Sequence, residues 1–145
     1  MLKFKKVKED AIIPAKKHGS DAGLDVFTRE TFQLRRGEHK VVQTGIVLAD
    51  CPEDIVLFVW PKSGLDAEFG LTTGAGVIDP GYRGEIMILV KNTGAYAIQI
   101  EKGDAFAQLV PTKISKVEVE EVDEVKQTDR DKDGGIARSV NNEKD

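Results

Sequence analysis

The sequence predicts an all-β fold. Short segments rich in β-branched and aromatic residues recur along the 145 residues, and Gly, Pro, Asp and Asn punctuate them. Nothing before the C-terminal tail keeps helical periodicity for more than two turns. A chain of this length fits one domain, large enough to bury most of the surface that its unfolded form exposes.

The expected strands follow in order. Residues 2–7 (LKFKKV) open the chain, and 24–28 (LDVFT) follow Gly23. Residues 40–48 (KVVQTGIVL) and 55–60 (IVLFVW) are the longest apolar runs of the first half, the second ending at Pro61. At 63–68 a single helical turn is expected, with Ser63 as its N-cap. Residues 75–78 lead into Asp79-Pro80-Gly81-Tyr82, where Pro80 presets φ and Gly81 offers the positive φ of a type II turn. Residues 85–91 follow, and their core, Ile86-Met87-Ile88-Leu89-Val90, is apolar on both faces. That marks a central strand with core on one side and a dry contact, such as another subunit, on the other. Residues 96–100 and 105–112 come next, and 117–122 (VEVEEV) alternate cleanly as a half-exposed strand that ends the body. The expected domain is therefore 1–125. Residues 126–145 are dense in charged and small residues and read as a flexible arm, because they carry too little apolar surface to order alone.

Composition narrows the function classes. A net charge of −4 with 32% charged residues provides no overall basic field to draw the chain to nucleic acid or an anionic membrane. The single cysteine, Cys51, excludes an intrachain disulfide, and no Cys/His cluster suggests a thiolate zinc site. The first residues lack the apolar stretch of a secretory signal, and no window approaches the ~18 apolar residues of a membrane span, so a cytoplasmic location is expected.

Four segments could carry chemistry. AGLDV at 22–26 sets a carboxylate, Asp25, in an apolar strand, where backbone hydrogen bonds or a divalent cation would explain it. PKSGL at 61–65 places Lys62, the Ser63 hydroxyl, Gly64 and free N–H groups at a helix start, which serves equally as a plain helix cap or an anion site. GVIDPGYRGE at 76–85 puts Asp79 and Tyr82 on either side of a tight turn, as an ordinary hairpin or a site. KGDAFAQLV at 102–110 leaves one amide, Gln108, among apolar neighbours, and a buried amide needs a partner. In the tail, Arg130 and Gly134-Gly135 combine a cation with flexible backbone that could close over phosphates.

In this order the segments resemble the motifs of the trimeric dUTPase family, over almost the full chain. The resemblance implies a distorted jelly-roll or β-clip barrel with at most one short helix. It implies a homotrimer with sites at subunit interfaces, and Mg²⁺-dependent hydrolysis of dUTP to dUMP and pyrophosphate. Asp79 would then be the general base for water attacking the α-phosphorus, and Tyr82 would pack on the deoxyribose and exclude a 2′-hydroxyl. Main-chain groups of Gly76, Val77, Ile78 and Met87 would read uracil, with Thr73 as a polar base contact. Lys62, Ser63, Gly64, Gln108 and Arg130 would hold the triphosphate, and Asp25 would meet the metal through water.

Two departures stand out. Lys62 occupies the position where the family usually has arginine, which keeps the charge and loses the bidentate fork. The tail lacks the family's aromatic lid, and Ile136 is its nearest substitute. Two alternatives remain open. A dCTP deaminase-related enzyme would need a catalytic Glu where Leu89 stands, and a non-catalytic dUTP-binding regulatory module would explain the altered tail.

Overall fold

The computed structural model describes residues 1–129, in which every strand pair is antiparallel. The elements in chain order are β1 (Lys3–Lys6), β2 (Leu24–Phe27), β3 (Phe32–Leu34), β4 (His39–Asp50), β5 (Ile55–Pro61), α1 (Ser63–Phe69), β6 (Leu71–Gly74), β7 (Val77–Ile78), β8 (Glu85–Asn92), β9 (Ile98–Ile100) and β10 (Ala105–Lys113). They form one four-stranded sheet in the order β1-β4-β8-β6, a second in the order β2-β10-β5-β7, and a two-stranded pair β3-β9. This is an all-β, jelly-roll type of body with one short helix.

The period of two along each strand builds the core. From the first sheet Val42, Ile46, Leu48, Ile86, Ile88 and Val90 turn inward; from the second, Val26, Leu57, Val59, Ile78 and Leu109 do so, all in one buried cluster. Each such side chain contributes on the order of 1.5–3 kcal/mol when fully buried. Phe106 meets Phe32 edge to face at 6.1 Å, tying the two-stranded pair to the second sheet. Cys51 is a core thiol, and burial pushes its pKa up, as suits an inert residue.

Pairing of β4 with β8 runs from His39↔Lys91 to Gln43↔Met87, shifts register, and resumes at Val47↔Glu85. The interruption is a bulge at Thr44-Gly45. Gly45 has φ +72°, and a Cβ there would stand 2.7 Å from the Arg29 side chain and 3.0 Å from those of Ala11 and Lys8. The bulge also receives the N-terminal segment, because the Gly45 carbonyl accepts the Val7 N–H at 2.8 Å.

Several sequence expectations need correction. Residues 117–122 form no strand, and Val117, Val119 and Val122 are exposed. Their alternation supplies a face, but no neighbouring strand among the described residues offers a ladder for it. β3 and β6 were not foreseen, since three- and four-residue strands defined by their partners β9 and β8 carry little pattern of their own. The strand expected at 75–78 shrinks to β7, because Ala75 takes φ 50° and breaks the chain direction after β6. Helix α1 has Lys62 rather than Ser63 at its N-cap, with no side-chain cap, so Ser63 is its first helical residue. The run 86–90 is central as expected, with Ile86, Ile88 and Val90 buried on one face and Met87, 49% exposed, on the other. The arm expected at 126–145 falls, from residue 130 onward, outside the described residues, and with it Arg130, Gly134, Gly135 and Ile136.

One buried polar residue closes the end of the first sheet. Asn92 donates through Nδ2 to the carbonyls of Leu34 at 3.0 Å and Tyr96 at 2.8 Å, and its Oδ1 accepts the Gly94 N–H at 2.9 Å. An apolar replacement leaves all three backbone groups without this partner. Asn92→Leu is therefore expected to lower stability by roughly 2–4 kcal/mol, read as a lower urea midpoint at fixed protein concentration with an unchanged slope.

Candidate functional site

Two groups of sequence-selected residues come together, each on its own part of the fold. The first is built on the turn between β7 and β8, which lie in different sheets and do not pair with each other, so the hairpin expected here is a link between sheets. β7 pairs with β5 through Leu57↔Ile78 and Phe58↔Val77, which buries Ile78 and leaves Val77 facing out. Residues 79–82 close a turn in which the Tyr82 N–H donates to the Asp79 carbonyl at 3.0 Å. The turn is not type II, because Gly81 is absent from the glycines with positive φ, which are Gly37, Gly45, Gly70 and Gly103. Arg83 locks it from outside, its Nη1 donating to the carbonyls of Pro80 at 2.7 Å and Tyr82 at 3.0 Å.

Beside this turn lies a cavity of about 220 Å³ lined by Ala75, Val77, Ile78, Tyr82, Ile86 and Met87. Its walls are mostly aliphatic, with the Tyr82 ring on one side, and the backbone there is presented at strand ends. Such a slot suits a flat heterocycle read by main-chain groups. Asp79 sits beside it, exposed, and its carboxylate accepts no hydrogen bond and joins no ion pair among the described residues. It is thus free to take a proton from a water. A larger neighbouring cavity of about 430 Å³ brings Thr73 and Gly76 together with Val59, Trp60 and Asp66. Thr73 Oγ1 itself makes only a long contact, 3.5 Å, to the Val59 carbonyl.

The second group lies where β2, β10 and β5 run side by side. Gln108 on β10 is in register with Asp25 on β2 and with Trp60 on β5. The amide finds the partner its burial requires: Nε2 donates to the Pro61 carbonyl at 2.9 Å. Its Oε1 lies against Gly23, where a Cβ would stand 2.0 Å away. Asp25 is buried and forms an ion pair with the Lys62 ammonium across the mouth of this group. The two contacts fasten both ends of the Pro61-Lys62 link that carries the chain into α1. Ser63 and Gly64 follow directly, both exposed at the first turn of the helix. An exposed hydroxyl and free N–H groups beside a held cation can receive an anion.

The two groups share no hydrogen bond or ion pair among the described residues. Nor do the described residues contain a cluster of three or more His, Cys, Asp or Glu able to hold a metal. Asp25 is already engaged by Lys62, and Asp66 stands in the first turn of α1. That donor set fits a cation which arrives with its own oxygen ligands, and it does not fit a protein cage. Among the described residues no helix is long and apolar enough to cross a membrane.

Sequence reading missed Glu85. Its Oε1 accepts the Gly45 N–H at 2.8 Å, and its carbonyl accepts the Tyr82 hydroxyl at 3.0 Å. The only sequence signal for it is its place at the end of GVIDPGYRGE; its partner, the β4 bulge, lies 40 residues away. Ala75 and Ile86, which line the slot, were also missed, since neither carries a polar group.

Comparison with known proteins follows the same lines. A family model described as dUTPase matches residues 9–140. The chain is 42% identical over 135 residues to the deoxyuridine 5′-triphosphate nucleotidohydrolase of Clostridium tetani, covering 92% of each chain. Among solved structures it resembles the dUTPase of Staphylococcus bacteriophage 80alpha with dUPNHPP, at 28% identity and TM-score 0.84, over 95% of this chain and 97% of that one. It also resembles a variant dUTPase of phage phi11 of S. aureus that shows the coordination of a structural Mg(II) ion, at 29% identity and TM-score 0.77, over 88% and 99% of the two chains. Sequence and overall shape agree, and the chain belongs to the dUTPase family.

Proposed function

We propose that this chain hydrolyses dUTP to dUMP and pyrophosphate, with Asp79 as general base. The observation that carries this reading is the unpaired Asp79 carboxylate beside a flat, largely aliphatic slot whose other wall is Tyr82. In the proposed step a water oxygen bonds to the α-phosphorus as its proton passes to Asp79. The bond from the α-phosphorus to the bridging oxygen breaks, and pyrophosphate leaves with that oxygen. Main-chain groups of Gly76, Val77, Ile78 and Met87 hold uracil at the strand ends, with Thr73 in the adjoining cavity as a further polar contact. Tyr82 packs on the sugar face, where a 2′-hydroxyl would crowd it.

The triphosphate is assigned to the second group. Ser63, Gly64 and the N–H groups at the start of α1 receive it, and Lys62 and Gln108 set their position; Arg130 supplies a further cation from the tail. Mg²⁺ bound to the triphosphate would offset charge that develops on pyrophosphate. Asp25 would meet that ion through water. The phage phi11 relative with its structural Mg(II) ion supports the choice of metal.

We further propose a homotrimer in which the Asp79–Tyr82 turn of one copy meets the phosphate side of another. The outward face of the first sheet supports this, where Val41 is 52% and Met87 49% exposed on paired strands. A cytoplasmic location accords with a nucleotide substrate.

Asp79→Asn should reduce pyrophosphate release from dUTP by about 10²–10⁴-fold while calorimetry still detects dUTP binding. Undiminished turnover would remove Asp79 from its role. Incubation with dCTP, followed by identification of the product base, distinguishes a deaminase, which would yield a uracil product. Lys62→Met strands the buried Asp25 carboxylate and frees the start of α1. We expect a loss of roughly 1–3 kcal/mol in stability, discounted for the partial exposure of Lys62, together with a raised KM for dUTP. Lys62→Arg should restore both, and unchanged KM in the methionine variant would show that the pair does not position the phosphate side.

A further inference from the structure

The position of the Tyr82 ring is set by a residue with no side chain. A Cβ on Gly84 would stand 2.5 Å from the Tyr82 hydroxyl, 2.7 Å from Cζ and 3.1 Å from Cε2. The ring therefore folds back over Gly84, and its hydroxyl reaches one residue further, donating to the Glu85 carbonyl at 3.0 Å. That acceptor is itself held. The Glu85 carboxylate accepts the Gly45 N–H at 2.8 Å at the β4 bulge, and the next residue's carbonyl, that of Ile86, accepts the Thr44 hydroxyl. The Arg29, Ala11 and Lys8 side chains surround the bulge closely enough that a Cβ on Gly45 would stand 2.7–3.0 Å from them. A chain of contacts thus runs from the packed bulge to a ring that is itself 41% exposed on the slot wall.

We propose that Gly84 is a specificity-determining position: the space it leaves lets Tyr82 lie back against residues 84–85, and this fixes how closely the ring approaches a nucleotide's 2′-carbon. The inference rests on the assignment of the slot to the nucleoside of dUTP. With the ring held back at one fixed depth, a 2′-deoxyribose fits beneath it and a ribose meets it. A methyl at Gly84 pushes the ring off its seat, breaks the bond to Glu85 and lets it swing toward solvent. The fold tolerates this, because the displaced atoms are the exposed end of one side chain and the Gly84 backbone has no positive φ that alanine would strain. Gly84 acts through Tyr82 and is a positioning residue.

The test compares kcat/KM for dUTP and UTP, by pyrophosphate release, in the full-length wild type and Gly84→Ala. Steric exclusion of one hydroxyl is worth roughly 10²-fold, and Gly84→Ala is expected to erase about tenfold of it. The loss should come through a higher KM for dUTP and an undiminished rate with UTP, at an unchanged melting temperature. A dUTP/UTP ratio equal to wild type overturns the inference. Should Gly84→Ala fail to fold by circular dichroism, Tyr82→Phe decides, since it keeps the ring and removes only the bond to Glu85. A several-fold fall in the ratio supports the anchored ring, and an unchanged ratio overturns it. Wild-type protein that leaves dUTP intact defeats the functional reading itself, and this inference with it; wild-type selectivity retained in the variants defeats the role of Gly84 alone.

Discussion

The pairing of β4 with β8 is the constraint on which the site depends. β8 begins just after the Asp79–Tyr82 turn, so whatever fixes β8 fixes one end of that turn. Continuous pairing would have done this without regard to the turn. The register shift between Gln43 and Val47 does more, since it aims a backbone N–H at the Glu85 carboxylate and a hydroxyl at the Ile86 carbonyl. A charge-assisted bond of this kind is roughly twice as strong as a neutral one. The irregularity in the sheet is thus the point at which the hydrophobic core controls an exposed turn.

A comparable arrangement governs the link from β5 into α1, with different chemistry. There a buried carboxylate and a half-buried amide approach the same short link from neighbouring strands, Asp25 through the Lys62 ammonium and Gln108 through the Pro61 carbonyl. Strand register brings this about, because Gln108 stands opposite Asp25 on one side and Trp60 on the other. Lysine in place of arginine has a specific meaning here. A point charge on a flexible stem satisfies one carboxylate oxygen and leaves the other free, whereas a guanidinium fork would engage both.

What could be read from the sequence was local or periodic. The turn chemistry of Asp79-Pro80-Gly81-Tyr82, the central place of 86–90 and the all-β class follow from neighbouring residues or from a period of two. The turn type did not follow, because Pro80-Gly81 is compatible with either sign of φ at glycine and the Arg83 contacts to the turn carbonyls are not visible in that dipeptide. β3 and β6 were hidden because their identity lies in their partners. The strand expected at 117–122 shows the converse, a good pattern with nothing beside it. Asp25 and Lys62 were each singled out, but 37 residues separate them and only the fold makes them a pair. Glu85 and Gly84 escaped notice for a related reason: one acts through a backbone amide far along the chain, and the other acts by what it lacks.

Trp60 gives the molecule an optical property. It is the single tryptophan of the chain, it is 56% exposed, and its strand neighbour is Gln108. It lines the cavity that also holds Thr73 and Gly76, within the reach of both residue groups. Its indole emission therefore comes from one place, free of any second tryptophan. A change in wavelength or intensity when a nucleotide or another copy of the chain covers that cavity is a direct signal from the place where the two residue groups meet.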